Sequence, residues 1–180
     1  MHFTYCCRVH PSLRGTTDAD AFERAVTHVL SDPRGWARAG VIFTAVLSAS
    51  DVVVELVPNC TARNLGQRFD GMSVTDCSRA HVYINASRWA AGAKRGGAPD
   101  PAHTMLLSRY RAYVINHEFG HILLGCTADD HVPKGACVSG GDASVMMQQT
   151  NGVGRQCRPN PWPGQSEVAR VREALARKLI

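Results

Sequence analysis

Apolar residues recur along this chain with two different periods. Residues 5–9 alternate roughly and carry β-favouring side chains, which predicts a first strand. Thr17 or Asp18 can cap the helix that follows, where Phe22, Val26, Val29 and Leu30 fall at helical spacing over 19–30. Ser31-Asp32-Pro33-Arg34-Gly35 has the turn chemistry to stop that helix. Two β-branched runs come next, at 41–47 and 52–57, and the stretch between them is short enough for a hairpin. Residues 59–80 are polar and glycine-containing and read as loop, and 81–85 as another short strand.

The second half is patterned differently. After an exposed Gly/Lys/Arg loop at 92–99, Asp100-Pro101 supplies a cap and a proline at the first helical position. Met105, Leu106, Tyr110, Tyr113, Val114, His117, His121 and Leu124 then continue a long helical pattern over about 101–124, with Gly125 as its stop. Residues 126–164 hold no long periodic segment. The chain closes with an amphipathic helix over 165–180, with Val168, Val171, Leu175 and Leu179 on one stripe.

Composition narrows the class. A chain of 180 residues suits a single domain spanning 1–180, and 44% hydrophobic against 19% charged residues can form a core. No apolar run approaches the ~20 residues that span a bilayer, and no signal peptide is visible at the N-terminus. The net charge of +5 is dispersed; its densest points, Lys94-Arg95 and Arg170, Arg172, Arg177 and Lys178, are not a nucleic-acid arm. A solvated basic surface and a monomer with no nucleic-acid partner are expected. The seven cysteines contain no C-x-x-C, so disulfides are the default for most, with at least one left unpaired.

The chemistry lies on the long helix, in His117-Glu118-Phe119-Gly120-His121. Residues i and i+4 share a helix face, so both imidazoles can reach one ion. Neutral imidazole suits Zn²⁺. Glu118 projects beside the ion and can take a proton from a water whose pKa the metal has lowered to about 7. Catalytic zinc has three protein ligands and an open position. The only later glutamates, Glu167 and Glu173, lie in the tail helix, so the third ligand is sought in the turn after Gly125. There His131 is the first choice, with Asp129, Asp130, Asp142 and Cys126 as alternatives.

A helix-borne H-E-x-x-H, a glycine, a following histidine and the downstream Ser144-Val145-Met146 resemble the metzincin clan of zinc peptidases. The resemblance implies that Met146, or alternatively Met147, is the methionine that floors the metal site. Two departures stand out. The clan's glycine and third histidine would fall at Leu124 and Thr127, so an insertion in the turn is needed. Its tyrosine after the methionine turn, which helps stabilise the oxyanion, is replaced by Gln148 and Gln149. A closer resemblance runs from about residue 5 to 164. Asp32-Pro33-Arg34-Gly35-Trp36, the run from Tyr113 to Glu118, the run from Val145 to Thr150 and Cys157-Arg158-Pro159-Asn160-Pro161-Trp162-Pro163 are similar to a bacterial family of extracellular, zincin-like proteins. That resemblance favours His131. It implies disulfides Cys60–Cys77 and Cys137–Cys157, leaving Cys6, Cys7 and Cys126 unassigned, and a secreted setting despite the missing signal peptide.

The fold so implied is a small α/β (α+β) zincin-like domain. A twisted, mixed and mostly parallel sheet packs on the backing helix 19–30 and the active-site helix. Strand 81–85 forms its edge above the cleft, where an extended peptide could pair. The implied function is zinc-dependent endopeptidase action on a peptide or protein substrate, with Glu118 as general base and then acid. The other reading is a catalytically inactive zinc-binding interaction module.

Overall fold

A computed structural model of the protein describes residues 1–59, 61, 71–92, 105–127, 129–137 and 140–177. The expectations for Cys60, Lys94-Arg95, Asp100-Pro101 and Leu179 fall outside these. Strand β1 (His2–Val9) is followed by helix α1 (Ala19–Leu30), β2 (Ile42–Ala45), β3 (Val52–Val57), β4 (Val74–Asp76) and β5 (His81–Asn85). Helices α2 (Ala86–Ala91) and α3 (Leu107–Leu124) come next. Two-residue strands β6 (Gly141–Asp142) and β7 (Cys157–Arg158) then precede α4 (Gln165–Arg177). The result is a small mixed α/β domain built on a five-stranded sheet of order β2-β1-β3-β5-β4.

The two β-branched runs do not form a hairpin. β2 pairs parallel with the first half of β1, from His2↔Ile42 to Tyr5↔Ala45. β3 pairs parallel with its second half, from Tyr5↔Val52 to Val9↔Leu56. Residues 46–51 therefore cross β1 at Tyr5 and carry on in the same direction on its other side. Local polar contacts hold the crossing. Val46 N–H donates to the Tyr5 carbonyl at 2.8 Å, and the Asp51 carboxylate accepts the Thr4 N–H and hydroxyl at 2.7 and 2.8 Å.

The edge beside the helices is also not 81–85. That strand is interior, parallel to β3 on one side and antiparallel to β4 on the other. β4 is the β-branched Val74-Thr75 pair with Asp76, concealed in a polar stretch that reads as loop. Strand alternation further explains Cys6 and Cys7. Adjacent residues of β1 point to opposite faces of the sheet, so the two thiols cannot bond to each other, and both are free.

One face of the sheet presents Tyr5, Val52, Val54, Leu56, Val82 and Ile84 to a common core with α1 and α3. Asp18 caps α1 by accepting the Ala21 N–H at 2.9 Å, and Phe22, Val26, Val29 and Leu30 are its buried stripe. Phe119 of α3 meets Phe43 and Tyr5 edge-on, at centroid distances of 5.1 and 6.3 Å. Helix α3 begins later than the sequence pattern suggests, because Leu106 is extended. It is buried nearly all round from Tyr110 to Leu124. On its far side lie α4, through Val168, Val171 and Leu175, and Trp36, whose Nε1–H donates to the Asn116 carbonyl at 3.0 Å.

Among the described residues, two disulfides close the loops, Cys77–Cys126 and Cys137–Cys157. The second agrees with expectation. The first replaces Cys60–Cys77: Cys77 follows β4 at once, and β4 lies against α3, so its partner is the cysteine just beyond the end of α3, with Cα atoms 6.2 Å apart. Disulfides fit an oxidising, extracellular setting. No helix among the described residues is long and apolar enough to cross a membrane.

Asp32 organises the turn after α1. It accepts both the N–H and Nε–H of Arg34 at 2.9 Å and Nη2–H at 2.7 Å. These bonds hold its carboxyl below the usual carboxylate range. A carboxyl lowered by folding stabilises the protein above its unfolded pKa of about 3.9, and that stability is lost as pH falls through the folded value. Asp32→Asn is therefore expected to lower the melting temperature more at about pH 7 than near pH 2. Thermal unfolding at the two pH values checks this; an equal loss at both would contradict it.

Candidate metal centre

Helix α3 presents His117 and His121 one turn apart, and the chain must then reverse to bring a third donor back. Gly125 does this in the left-handed conformation (φ 83°), its N–H returning to the His121 carbonyl at 3.0 Å. Cys126 follows, also left-handed (φ 56°), anchored by its disulfide. The returning segment is pinned by Val132, which bridges Met147 and donates its N–H to the Met146 carbonyl at 3.1 Å. This places His131 against the other two. Ring centroids are 4.9 Å apart for His117 and His121, 5.3 Å for His117 and His131, and 4.7 Å for His121 and His131. One ring nitrogen from each lies within 4.8 Å of the others, so the group can hold a metal ion.

The donor chemistry fits. A carbonyl only accepts, so the 2.8 Å contact to the Val145 oxygen fixes the proton on Nδ1 of His117 and leaves Nε2 with a lone pair. Asp130 does the same for His121, with Oδ2 at 3.4 Å from Nδ1. Burial, then the neighbouring His121, pushes the pKa of His117 down to about 3. Burial also lowers His121 and His131. All three imidazoles are thereby kept neutral, as metal ligation requires.

The alternative ligands have other employment. Asp130, only 1% exposed, accepts the Thr127 hydroxyl at 2.6 Å and orients His121. Asp129 is exposed, and its carbonyl takes Arg170 Nη2–H at 2.9 Å. Asp142 is exposed and faces Arg158 at 3.3 Å. Cys126 is consumed by its disulfide.

Glu118 is 4% exposed and opens onto the same cleft of about 440 Å³ as the histidines. Burial pushes its carboxyl up to about 7, against the opposing pull of the Thr75 hydroxyl. That hydroxyl donates to Glu118 Oε2 at 2.6 Å. Thr75 was not singled out by sequence; the β-branched run of β4 was the available signal.

Met146 is fully buried in the main core, while Met147 belongs to a separate small cluster with Ala143, Val153 and Cys157. Gly120, between the two helical histidines, packs on Met146: a Cβ there would overlap the methionine sulfur and press on the Trp36 ring. Glu167, at the start of α4, holds the turn at 144–147. It is 3% exposed and accepts the Met146 N–H at 3.0 Å together with the Ser144 hydroxyl and the Gly164 N–H.

These features define a mixed α/β domain whose central helix carries two members of a three-histidine group and a buried carboxylate. The family model described as a protein of unknown function (DUF3152) matches residues 1–158, and the chain belongs to that family. No curated protein matches the chain.

Gly120→Ala is expected to destabilise the fold by about 1–3 kcal/mol, because the added methyl must displace Met146 or Trp36. Urea denaturation measures the cost; a neutral substitution would show that Met146 does not lie tight against α3.

Proposed function

We propose that the protein is a secreted, zinc-dependent endopeptidase related to the metzincins. The observation that carries the reading is the placement of Glu118 and the three histidines in one cleft. The carboxylate lies beside the ligands yet is not one of them. Three imidazoles would leave a bound Zn²⁺ a position for water or substrate, which suits a catalytic rather than a structural role. When bound, the ion supplies a Lewis acid that polarises a peptide carbonyl and acidifies water.

Glu118 accepts the proton of the attacking water and returns it to the amide nitrogen as the C–N bond breaks; the acid and amine so formed then exchange a proton to give a carboxylate and an ammonium. Thr75 keeps that carboxylate aimed into the cleft. Asp130 and the Val145 carbonyl orient the two helical histidines, and Met146 supports them from below. The substrate is a peptide or protein lying along the open cleft between β4 and α3.

Two predictions separate the metal from the base. His131→Ala should reduce zinc content, measured by elemental analysis after dialysis, from one ion per chain to well below half; unchanged zinc would remove His131 from the ligand set. Glu118→Gln should keep its zinc and lose about 1,000-fold in turnover. The assay is cleavage of casein and of a peptide library by zinc-loaded protein, with and without chelator. Hydrolysis that survives both chelation and Glu118→Gln would refute the enzyme reading, as would no cleavage at all by the zinc-loaded wild type.

A further inference from the structure

Apart from the three histidines, the polar side chains that line the cleft have hydrogen-bond partners among the described residues, with one exception. Thr75 donates to Glu118, and Thr127 to Asp130 at 2.6 Å. The Tyr113 hydroxyl donates to the Met147 carbonyl at 3.1 Å, Thr150 is paired with Tyr110 at 3.3 Å, and Ser73 Oγ accepts the Asn85 N–H at 3.2 Å. Gln148 lines the same cleft, half-exposed, and its side chain has no hydrogen bond among the described residues.

Its neighbour shows what an architectural glutamine looks like in this fold. Gln149 is 5% exposed, donates to the carbonyls of Ser144 and Asn160 at 2.9 and 2.7 Å, and accepts the Asn160 N–H at 2.9 Å. The backbone on both sides of Gln148 is held by one group: the Tyr113 hydroxyl donates to the Met147 carbonyl and accepts the Gln149 N–H at 2.9 Å. Gln148 thus lines the cleft with an uncommitted amide, on a backbone held from both sides.

We propose that the Gln148 side-chain amide is a catalytic group that donates to the oxygen of the scissile carbonyl, a role that rests on the peptidase reading above. As water adds to the carbonyl carbon and yields its proton to Glu118, the π pair of the C=O bond moves onto that oxygen. The negative charge is greatest after addition, so a fixed N–H stabilises the transition state more than the bound substrate. When the C–N bond breaks, the charge leaves the oxygen and the proton passes from Glu118 to the nitrogen. A neutral amide suits the position, because it adds a donor without a positive charge beside the metal.

The test compares zinc-loaded wild type with Gln148→Ala, Gln148→Glu and Gln148→His, and with Ser73→Ala as control. The substrate is a peptide that the wild type cleaves, and the inhibitor is its phosphinic isostere, a tetrahedral anion. Gln148→Glu keeps the shape and removes the donor; Gln148→His restores one. Removal of the donor is expected to lower kcat about 100-fold with KM within about twofold. Kd for the phosphinate should weaken in parallel, with zinc content and melting temperature unchanged. Gln148→His should recover at least tenfold. Wild-type kcat and phosphinate affinity in both donor-free variants would overturn the assignment, as would a raised KM at unchanged kcat, or the loss appearing in Ser73→Ala instead. Failure of the peptidase reading is seen earlier and separately, as no cleavage by the zinc-loaded wild type, and it removes this role with it.

Discussion

Burying an H-E-x-x-H helix in the middle of a small domain imposes a strict condition on everything around it. Imidazoles and carboxylates out of water must each be given a partner, or the fold loses several kcal/mol per group. Helix α3 meets that condition from several parts of the chain. The Val145 carbonyl takes His117, Asp130 takes His121, and Thr75 takes Glu118. Trp36 takes the Asn116 carbonyl, and the Asn116 amide donates to the Pro161 carbonyl at 2.9 Å. The elements that supply these groups are arranged around α3 accordingly, and the cleft lies where Glu118 and the histidines are left open.

Those suppliers are themselves anchored. The turn at 144–147 provides both the Val145 carbonyl and the methionine that packs on Gly120, and it hangs from Glu167 of α4. The same turn receives Val132 and so holds His131 in place. On the opposite wall, the Cys77–Cys126 disulfide joins the end of β4 to the turn after α3. Thr75 lies two residues before Cys77, and His131 five residues after Cys126. One covalent link therefore fixes the spacing between the residue that aims Glu118 and the segment that delivers the third histidine.

Local chemistry made part of this legible in the sequence. The α1 stripe and its Asp18 cap, the glycine that ends α3, the i, i+4 histidines and the choice of His131 all follow from short-range pattern. What escaped was set by pairing over distance. Nothing in 41–57 says that two β-branched runs flank a third strand instead of each other; that depends on β1, some forty residues earlier. β4 was hidden because three residues are too few to show alternation, and with it went Thr75, the true sheet edge and the partner of Cys77. In the sequence Glu167 is only a glutamate too late in the chain to be a ligand. Its work under Met146 depends on the packing of α4, which no local signal reports.

The crossing at Tyr5 has a consequence for how the chain is made. β1 is synthesised first, yet both its neighbours come from residues 42–57, so neither ladder can form until that later segment exists. Closing loops of that length costs entropy before any strand contact repays it. During vectorial synthesis β1 emerges with both edges bare and two free thiols exposed. Only the segment that straddles Tyr5 can cover both of those edges, and it does so in one pass of the chain.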